Sequence, residues 1–401
     1  ITRMGPQNAV NDNNRQQLTN DFGYVGFAYN QIRWQKLIDA AASALRLNDP
    51  AVFDALGRQF KDSKAPEIEG VSGPILHAAQ TAEGWIIIGG DGPNTYEPAE
   101  PVALLIDLGG DDRYQTRTGA SGSQQQPNSV LIDVAGNDSY ETSAFQLATG
   151  RGGLGLVIDR QGNDRYTCQA GGIGAGFGGI GMLIDEQGDD TYAGDFWVQA
   201  SAVGGIGMLL DRAGNDRYQA SVYSMAMAGP GSASALIDTT GDDHYRCGFK
   251  IGSPYNAGER PDTKPGDDDY QYTAVGLGTA MGRRMMSGTG AGGQRLDMAG
   301  GFAMAVDLQG HDVAESSNFS QGVGYFYGVG CRIDAAGDDR HQGARYSIGS
   351  GAHQAVGLFV DRAGADHYTS TGSTYTCAAA WDYTLAACID LGQHDDTYDL
   401  S

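Results

Sequence analysis

Aspartate at fixed spacing is the feature of this chain best suited to chemistry. A leading Asp recurs at Asp107, Asp133, Asp159, Asp185, Asp211 and Asp238, and again at Asp307, Asp334, Asp361 and Asp390. A second Asp follows, usually five residues on: Asp112, Asp138, Asp164, Asp190, Asp216 and Asp243, then Asp268, Asp312, Asp339, Asp366 and Asp396. Carboxylates so placed can do one of two things. Each can accept backbone N–H bonds within its own turn and stay solvated, or carboxylates and carbonyls of successive copies can hold Ca²⁺. Paired carboxylates beside a histidine, as in Asp242-Asp243-His244, are also raw material for glycosidic acid–base catalysis. The same pair stands at Asp111-Asp112-Arg113, where no histidine follows, so it belongs to the repeat and no catalytic residue is assigned. His311, His341, His353, His367 and His394 fall at different phases of the repeat, and no metalloprotease, P-loop or nucleophile-elbow motif occurs.

The elements that position these residues follow from the motif around them: aliphatic-Asp-x-x-Gly-(Asp/Asn)-Asp-x-Tyr, as in Ile158-Asp159 to Tyr166. The leading Asp returns at intervals of 26, 26, 26, 26 and 27, and after an interruption at 27, 27 and 29. A fixed period sustained along a chain is the signature of a repeat architecture. The apolar residues before each leading Asp predict a strand, Asp-x-x-Gly a turn, Asp-x-Tyr a second strand, and glycine runs such as Gly171-Gly172 tight corners. Equal coils of this kind predict a mainly β chain, a parallel β-solenoid (β-helix) of ~26-residue coils stacked at ~4.8 Å. The alternative is a β-propeller with a hairpin per copy. Leu104 and Ile106, and their equivalents, are expected to point inward. Leu105, Leu131, Val157, Leu183, Leu209 and Leu236 are then expected outward, beneath the helical cap or a partner chain.

Stacking turns both Asp series into ladders. Neighbouring carboxylates one rung apart repel by ~1 kcal/mol in water and more in a protein, so each ladder needs neutralisation or solvation. The turns Gln161-Gly162-Asn163-Asp164-Arg165-Tyr166 and Ala213-Gly214-Asn215-Asp216-Arg217-Tyr218 resemble the Gly-rich, Asp-containing turns of RTX calcium-binding β-rolls. The resemblance covers six residues per copy; RTX arrays repeat every nine residues and usually carry a Gly-Gly pair, which among these Asp-containing turns stands only at Gly109-Gly110. It implies Ca²⁺ as a stabilising ion, with Asp112, Asp138, Asp164, Asp190, Asp216 and Asp243 as ligands.

Around this array the composition divides the chain. Residues 1–84 carry eight basic and nine acidic side chains, whereas the rest carries 18 and 40. The first part reads as a helical cap: Trp34, Ile38, Ala41, Ala42 and Leu45 mark one apolar face, and Asp49-Pro50 starts a second helix with Val52, Phe53, Leu56 and Phe60. Residues 85–401 form the repeat domain, interrupted by an irregular insertion at 246–300. Within the insertion Arg246, Lys250, Arg260, Arg283, Arg284 and Arg295 make a basic patch suited to an anion or acidic glycan. The formal net charge of -23 disfavours nucleic acid, and no apolar run is long enough for a membrane-spanning helix. Five cysteines with no C-x-x-C pair predict small buried side chains and no disulfide framework. A chain opening at Ile1 is read as processed, which points to an extracellular, periplasmic or cell-surface location. The final motif lies three residues from Ser401, so an uncovered last rung is expected, with other protein subunits docking there or on the apolar outer face. The expected role is a non-catalytic scaffold, binding module or accessory subunit. The alternative is a β-helix carbohydrate-active enzyme, a polysaccharide lyase or hydrolase.

Overall fold

The computed structural model describes residues 32–115, 117, 119–122, 126–248, 275–282, 298–371, 375–392 and 394–400. The repeat does form a parallel β-solenoid. In one coil, a long strand (Leu154–Asp159) runs into the Asp-x-x-Gly turn, a second strand (Arg165–Ala170) carries the motif tyrosine, and a short third strand (Gly176–Phe177) completes the circuit. Leu154–Asp159 pairs in parallel with Ile180–Asp185, so Asp159 lies beside Asp185, and Tyr166 lies beside Tyr140 and Tyr192. Among the described residues the long strands make one twelve-stranded sheet and the tyrosine strands another. The short strands form sheets of three and four, linked by bridges at Ala228. Among the described residues, antiparallel pairing is confined to the start, where Ile75–Thr81 meets Gly84–Gly89 and Val71–Ser72 meets Thr95–Tyr96. Propeller blades would be antiparallel throughout, so that alternative falls. Part of the insertion rejoins the stack: Ala280–Met281 pairs with Gly324–Tyr325, and Leu277 enters the core.

Glycine in the Asp-x-x-Gly turn is required by the closeness of successive rungs. A Cβ on Gly162 would sit 1.6 Å from the carbonyl oxygen of Gly136.

The long strand faces the opposite way from the sequence expectation. Leu105, Leu131, Val157, Leu183, Leu209 and Leu236 point inward with the tyrosines, while Ile106, Ile132, Ile158 and Ile184 lie outside beneath the helices. The reason is strand parity: residues two apart share a face. The leading Asp is buried inside the coil and carries the residue two before it inward.

The helices α1 (Trp34–Leu45) and α2 (Pro50–Phe60) form as expected, with the Asp49 carboxylate accepting the Ala51 N–H at 2.9 Å. Their buried stripe is shifted from the expected one. Leu37, Ala41, Ala44 and Phe53 pack on the outer sheet face, while Ile38 and Leu45 are exposed. Cover by the helices reaches the coils from Ile88 to Ile206. Cys168, Cys247 and Cys331 are buried, Cys377 and Cys388 are half-buried, and all five are free thiols.

Candidate functional site

The coils from Asp107 to Asp211 contribute one polar unit to the interior. There the leading Asp accepts the N–H two residues ahead through Oδ1: Gly109 N–H to Asp107 at 2.9 Å, Ala135 N–H to Asp133 at 3.0 Å; Oδ1 of Asp238, Asp307, Asp334 and Asp361 is buried without a partner. Oδ2 of the leading Asp accepts the phenol of the preceding coil, as in Tyr140 to Asp159, Tyr166 to Asp185 and Tyr218 to Asp238, each at 2.6 Å. The second Asp bonds between rungs. Asp164 accepts the Asp138 N–H and Asp190 accepts the Asp164 N–H, both at 2.6 Å through Oδ1. Among the described residues both Asp series are therefore buried up to Asp361 and Asp366, with Asp390 and Asp396 half-buried, where the own-turn reading of the sequence left them in solvent; Asp268 lies outside the described residues. The phenol rings form a column from Tyr96 to Tyr245, with centroids 4.6–5.1 Å apart.

One oxygen per rung is left over in the coils from Asp107 to Asp211, and two in those of Asp238, Asp307, Asp334 and Asp361. Oδ2 of Asp112, Asp138, Asp164, Asp190, Asp216 and Asp243, and of Asp312, Asp339 and Asp366, is buried without a hydrogen-bond partner. It lies in a carboxylate cluster: one oxygen each from Asp133, Asp138 and Asp159, for example, fall within 4.8 Å of one another, as do those of Asp159, Asp164 and Asp185. A buried carboxylate that faces another cannot stay ionised with it unless something neutralises the pair. Burial, reinforced by neighbouring carboxylates, pushes Asp138 and Asp190 up to about 8 and Asp164 and Asp216 up to about 10. Burial likewise holds the Tyr166 phenol far above its ordinary value, so it remains a donor.

These acidic clusters resemble calcium-binding β-roll turns in their chemistry and are geometrically compatible with a metal ion. The residues fit one only in part. Calcium takes six to eight oxygens, and most oxygens of each triad already accept N–H or O–H bonds.

The coil of Asp334 departs from the unit. Its inward position holds Arg332 where the neighbouring coils have Ala305 and Phe359. Its motif tyrosine is His341, and the coil below carries Ala314 in place of tyrosine. Arg332 is fully buried, with its guanidinium carbon 4.8 Å from the centre of the Tyr245 ring. It therefore stands in the column where a ring from residue 314 would be. Its Nη2 donates to Asp334 Oδ2 at 3.0 Å and lies 3.9 Å from Asp307. His341 stacks on Tyr368 with centroids 5.3 Å apart, and its Nε2 lies 3.8 Å from Asp334 and 3.6 Å from Asp361. Burial opposes charge on both Arg332 and Asp361; the carboxylates around Arg332 and the imidazole beside Asp361 outweigh it, so Arg332 stays charged and Asp361 lies below its ordinary value. Beyond this coil the phenol bonds change partner. Tyr368 and Tyr398 donate to Asp361 and Asp390 of their own coils, at 2.9 Å and 2.6 Å.

The six metal candidates Asp112, Asp138, Asp164, Asp190, Asp216 and Asp243 thus occupy one continuous ladder. Of the anion-site candidates, Arg246 lies in the strand His244–Cys247, and its Nε is 3.3 Å from Glu315, which also meets His244 at 3.4 Å. Lys250, Arg260, Arg283, Arg284 and Arg295 lie outside the described residues. Arg332 was missed because a single apolar-to-Arg change inside a repeat reads as a surface position. The paired departures at Ala314 and His341 were the available signal. No helix among the described residues is long and apolar enough to cross a membrane. No family model, curated protein or solved structure matches the chain.

Proposed function

We propose that this protein is a non-catalytic structural and binding β-solenoid, an extracytoplasmic scaffold or accessory subunit that holds a partner protein on its outer sheet face. The observation that carries this reading is the continuation of an apolar face past its helical cover. Beyond Ile206 the same outward positions are Phe302, 48% exposed, Val329, 37% exposed, and Leu385, 65% exposed, with half-buried Ile333, Val356 and Val360 between them. A contiguous apolar surface of this kind marks an interaction site. Purification from the native source, comparing the native chain with a Phe302→Ser/Val329→Ser/Leu385→Ser variant of equal melting temperature, tests it. Companions lost with the triple variant support the reading; companions retained unchanged refute it. The basic stretch from Arg246 to Arg295 is a separate proposed contact for acidic glycans, tested by charge reversal at Arg283 and Arg284.

The interior column gives the scaffold its rigidity, and two neutralisers compete for it: a proton shared within each Asp pair, or Ca²⁺. The single spare oxygen per rung in the coils from Asp107 to Asp211 favours the proton there. Asp164→Asn separates them, since an amide N–H₂ can donate as the protonated carboxyl does. With protons in the stack the variant keeps native stability within ~0.5 kcal/mol, and millimolar Ca²⁺ after EGTA leaves the melting temperature of the native chain unchanged. A calcium stack gives the reverse: Ca²⁺ raises the native melting temperature, and the variant loses part of that rise.

A further inference from the structure

The corner that follows the short third strand changes character along the molecule. In the early coils it is Gly152-Gly153, Gly178-Gly179 and Gly204-Gly205, with the first glycine at φ +68°, +61° and +57°. In the late coils it is one residue longer and bulky: Phe326-Tyr327-Gly328, His353-Gln354-Ala355 and Asp382-Tyr383-Thr384. The first two residues of each late corner keep left-handed backbone, at φ +43° and +57°, +62° and +58°, +53° and +57°. That conformation penalises every side chain with a Cβ and is the natural place for glycine. Across the short strand, Tyr346 and Tyr375, left-handed at φ +52° and +63°, continue a row that earlier coils fill with the left-handed Phe145, Trp197, Tyr223 and Phe319, and once with Gly171. At the corner after the short strand, large left-handed residues stand in the late coils where the early coils have glycine, which points to a task specific to the late coils.

Between these two rows lies a cleft of about 200 Å³. Its floor is the short strand, where Tyr325, Ala352 and Trp381 are partners in three successive rungs. The small middle residue opens a slot between two large rings whose backbones are two rungs, ~10 Å, apart. Tyr346 and Tyr375, stacked with centroids 5.4 Å apart, and Arg345 close one side; His353 closes the other. The imidazole Nδ1 is held by Asp382 Oδ2 at 2.7 Å, which leaves Nε2 for a ligand. Trp381 and Tyr375 are about half exposed.

We propose that this cleft binds a saccharide, with one sugar ring seated over Ala352 between Tyr325 and Trp381. A sugar ring presents apolar C–H faces to aromatic rings and a rim of hydroxyls to Arg345 and His353, which matches both kinds of lining group. A nucleic acid would meet the repulsion of a chain whose formal net charge is -23. The cleft stands apart from the apolar sheet face and the interior column, so loss of the partner protein or of the stack's protons leaves this site intact.

Titration of the full chain with cellotriose, xylotriose and trigalacturonate, read by tryptophan fluorescence and calorimetry, tests the site. At least one sugar binds saturably with Kd of about 0.1–1 mM, the range expected of a shallow single-ring site. Trp381→Ala and Tyr375→Ala each weaken it at least about tenfold. Ala352→Phe fills the slot and abolishes binding; it places a ring where both neighbouring rungs already carry one, so the chain still folds, as its melting temperature verifies. Trp197→Ala, on the same corner row but beside glycine corners, leaves binding unchanged. No saturable binding of any of the three sugars overturns the proposal, as does binding that survives Ala352→Phe.

Discussion

The coils from Tyr96 to Tyr245 and the coil of Asp334 solve one electrostatic problem in two ways. Both bury leading carboxylates at the centre of a solenoid. In the early coils no Arg, Lys or His side chain of the described residues is buried among them: a phenol donates to each leading carboxylate, rings stack, and Oδ2 of the second Asp in each rung has no hydrogen-bond partner. The later coil brings in the Arg332 guanidinium over Tyr245 and the His341 imidazole over Tyr368. The exchange is local and compensated. Ala314 gives up a ring, and Arg332 from the next coil occupies its place and bonds Asp334 as the phenol would have done. The difference teaches that the column requires a planar donor at each step, and that either a phenol or a guanidinium meets the requirement.

The largest expected effect comes from pH, because it acts on every early rung together. A carboxyl whose pKa is higher folded than unfolded binds more protons in the native state. The stability it contributes is complete below about pH 4 and is lost as pH rises through the folded value. With Asp138 and Asp190 near 8 and Asp164 and Asp216 near 10, that loss runs from about pH 4 up to about 8 for the first pair and about 10 for the second. Asp361 runs the other way, its contribution lost as pH falls, but it stands alone beside His341. The melting temperature should fall by at least about 10 °C between pH 5 and pH 8. A flat profile would mean that the early coils, like the later one, hold a permanent counter-charge.

Next in size is Arg332→Leu, which leaves Asp307 and Asp334 buried without their cation and should cost about 3–5 kcal/mol in a denaturant titration. Adding Ala314→Tyr to that variant restores the early-coil unit, a ring over Tyr245 with its hydroxyl toward Asp334, and should recover most of the loss. A double variant no better than the single one would break the equivalence of the two arrangements. Smaller still is Tyr166→Phe, which keeps the stacked ring and removes the donor to Asp185. About 1–3 kcal/mol is expected at neutral pH. Protonation of Asp185 at low pH lessens its need for a donor, so the deficit should shrink there. A deficit that is equal at pH 5 and pH 8 would separate the phenol bonds from the charge of the ladder.

Much of this molecule was legible in its residues. The interval of the leading Asp foretold parallel stacking, since side chains at equal phase must align when equal coils pile up; Asp159 beside Asp185 and Tyr166 beside Tyr140 are its direct result. The Asp49-Pro50 helix start was equally readable, because an N-cap acts within a few bonds. The direction in which the strands face was not. Leu104, Leu105 and Ile106 are all apolar, so hydrophobicity offers no parity, and an aspartate is ordinarily placed in solvent. The inward Asp107 reversed the assignment, and only its contact with Tyr96, eleven residues earlier and on another sheet, reveals why. The late aromatic corners escaped notice for a similar reason: Phe326, His353 and Asp382 look unrelated until their shared left-handed backbone places them in one row.

What the chain determined alone is therefore its periodicity, its turns and the residues that stack, because these depend on local conformation and equal spacing. The tertiary structure decided which face is inside, which carboxyl oxygens lack partners, and that Arg332 substitutes for a ring belonging to another coil. Those outcomes depend on desolvation, and desolvation is set by neighbours that the chain supplies from many residues away.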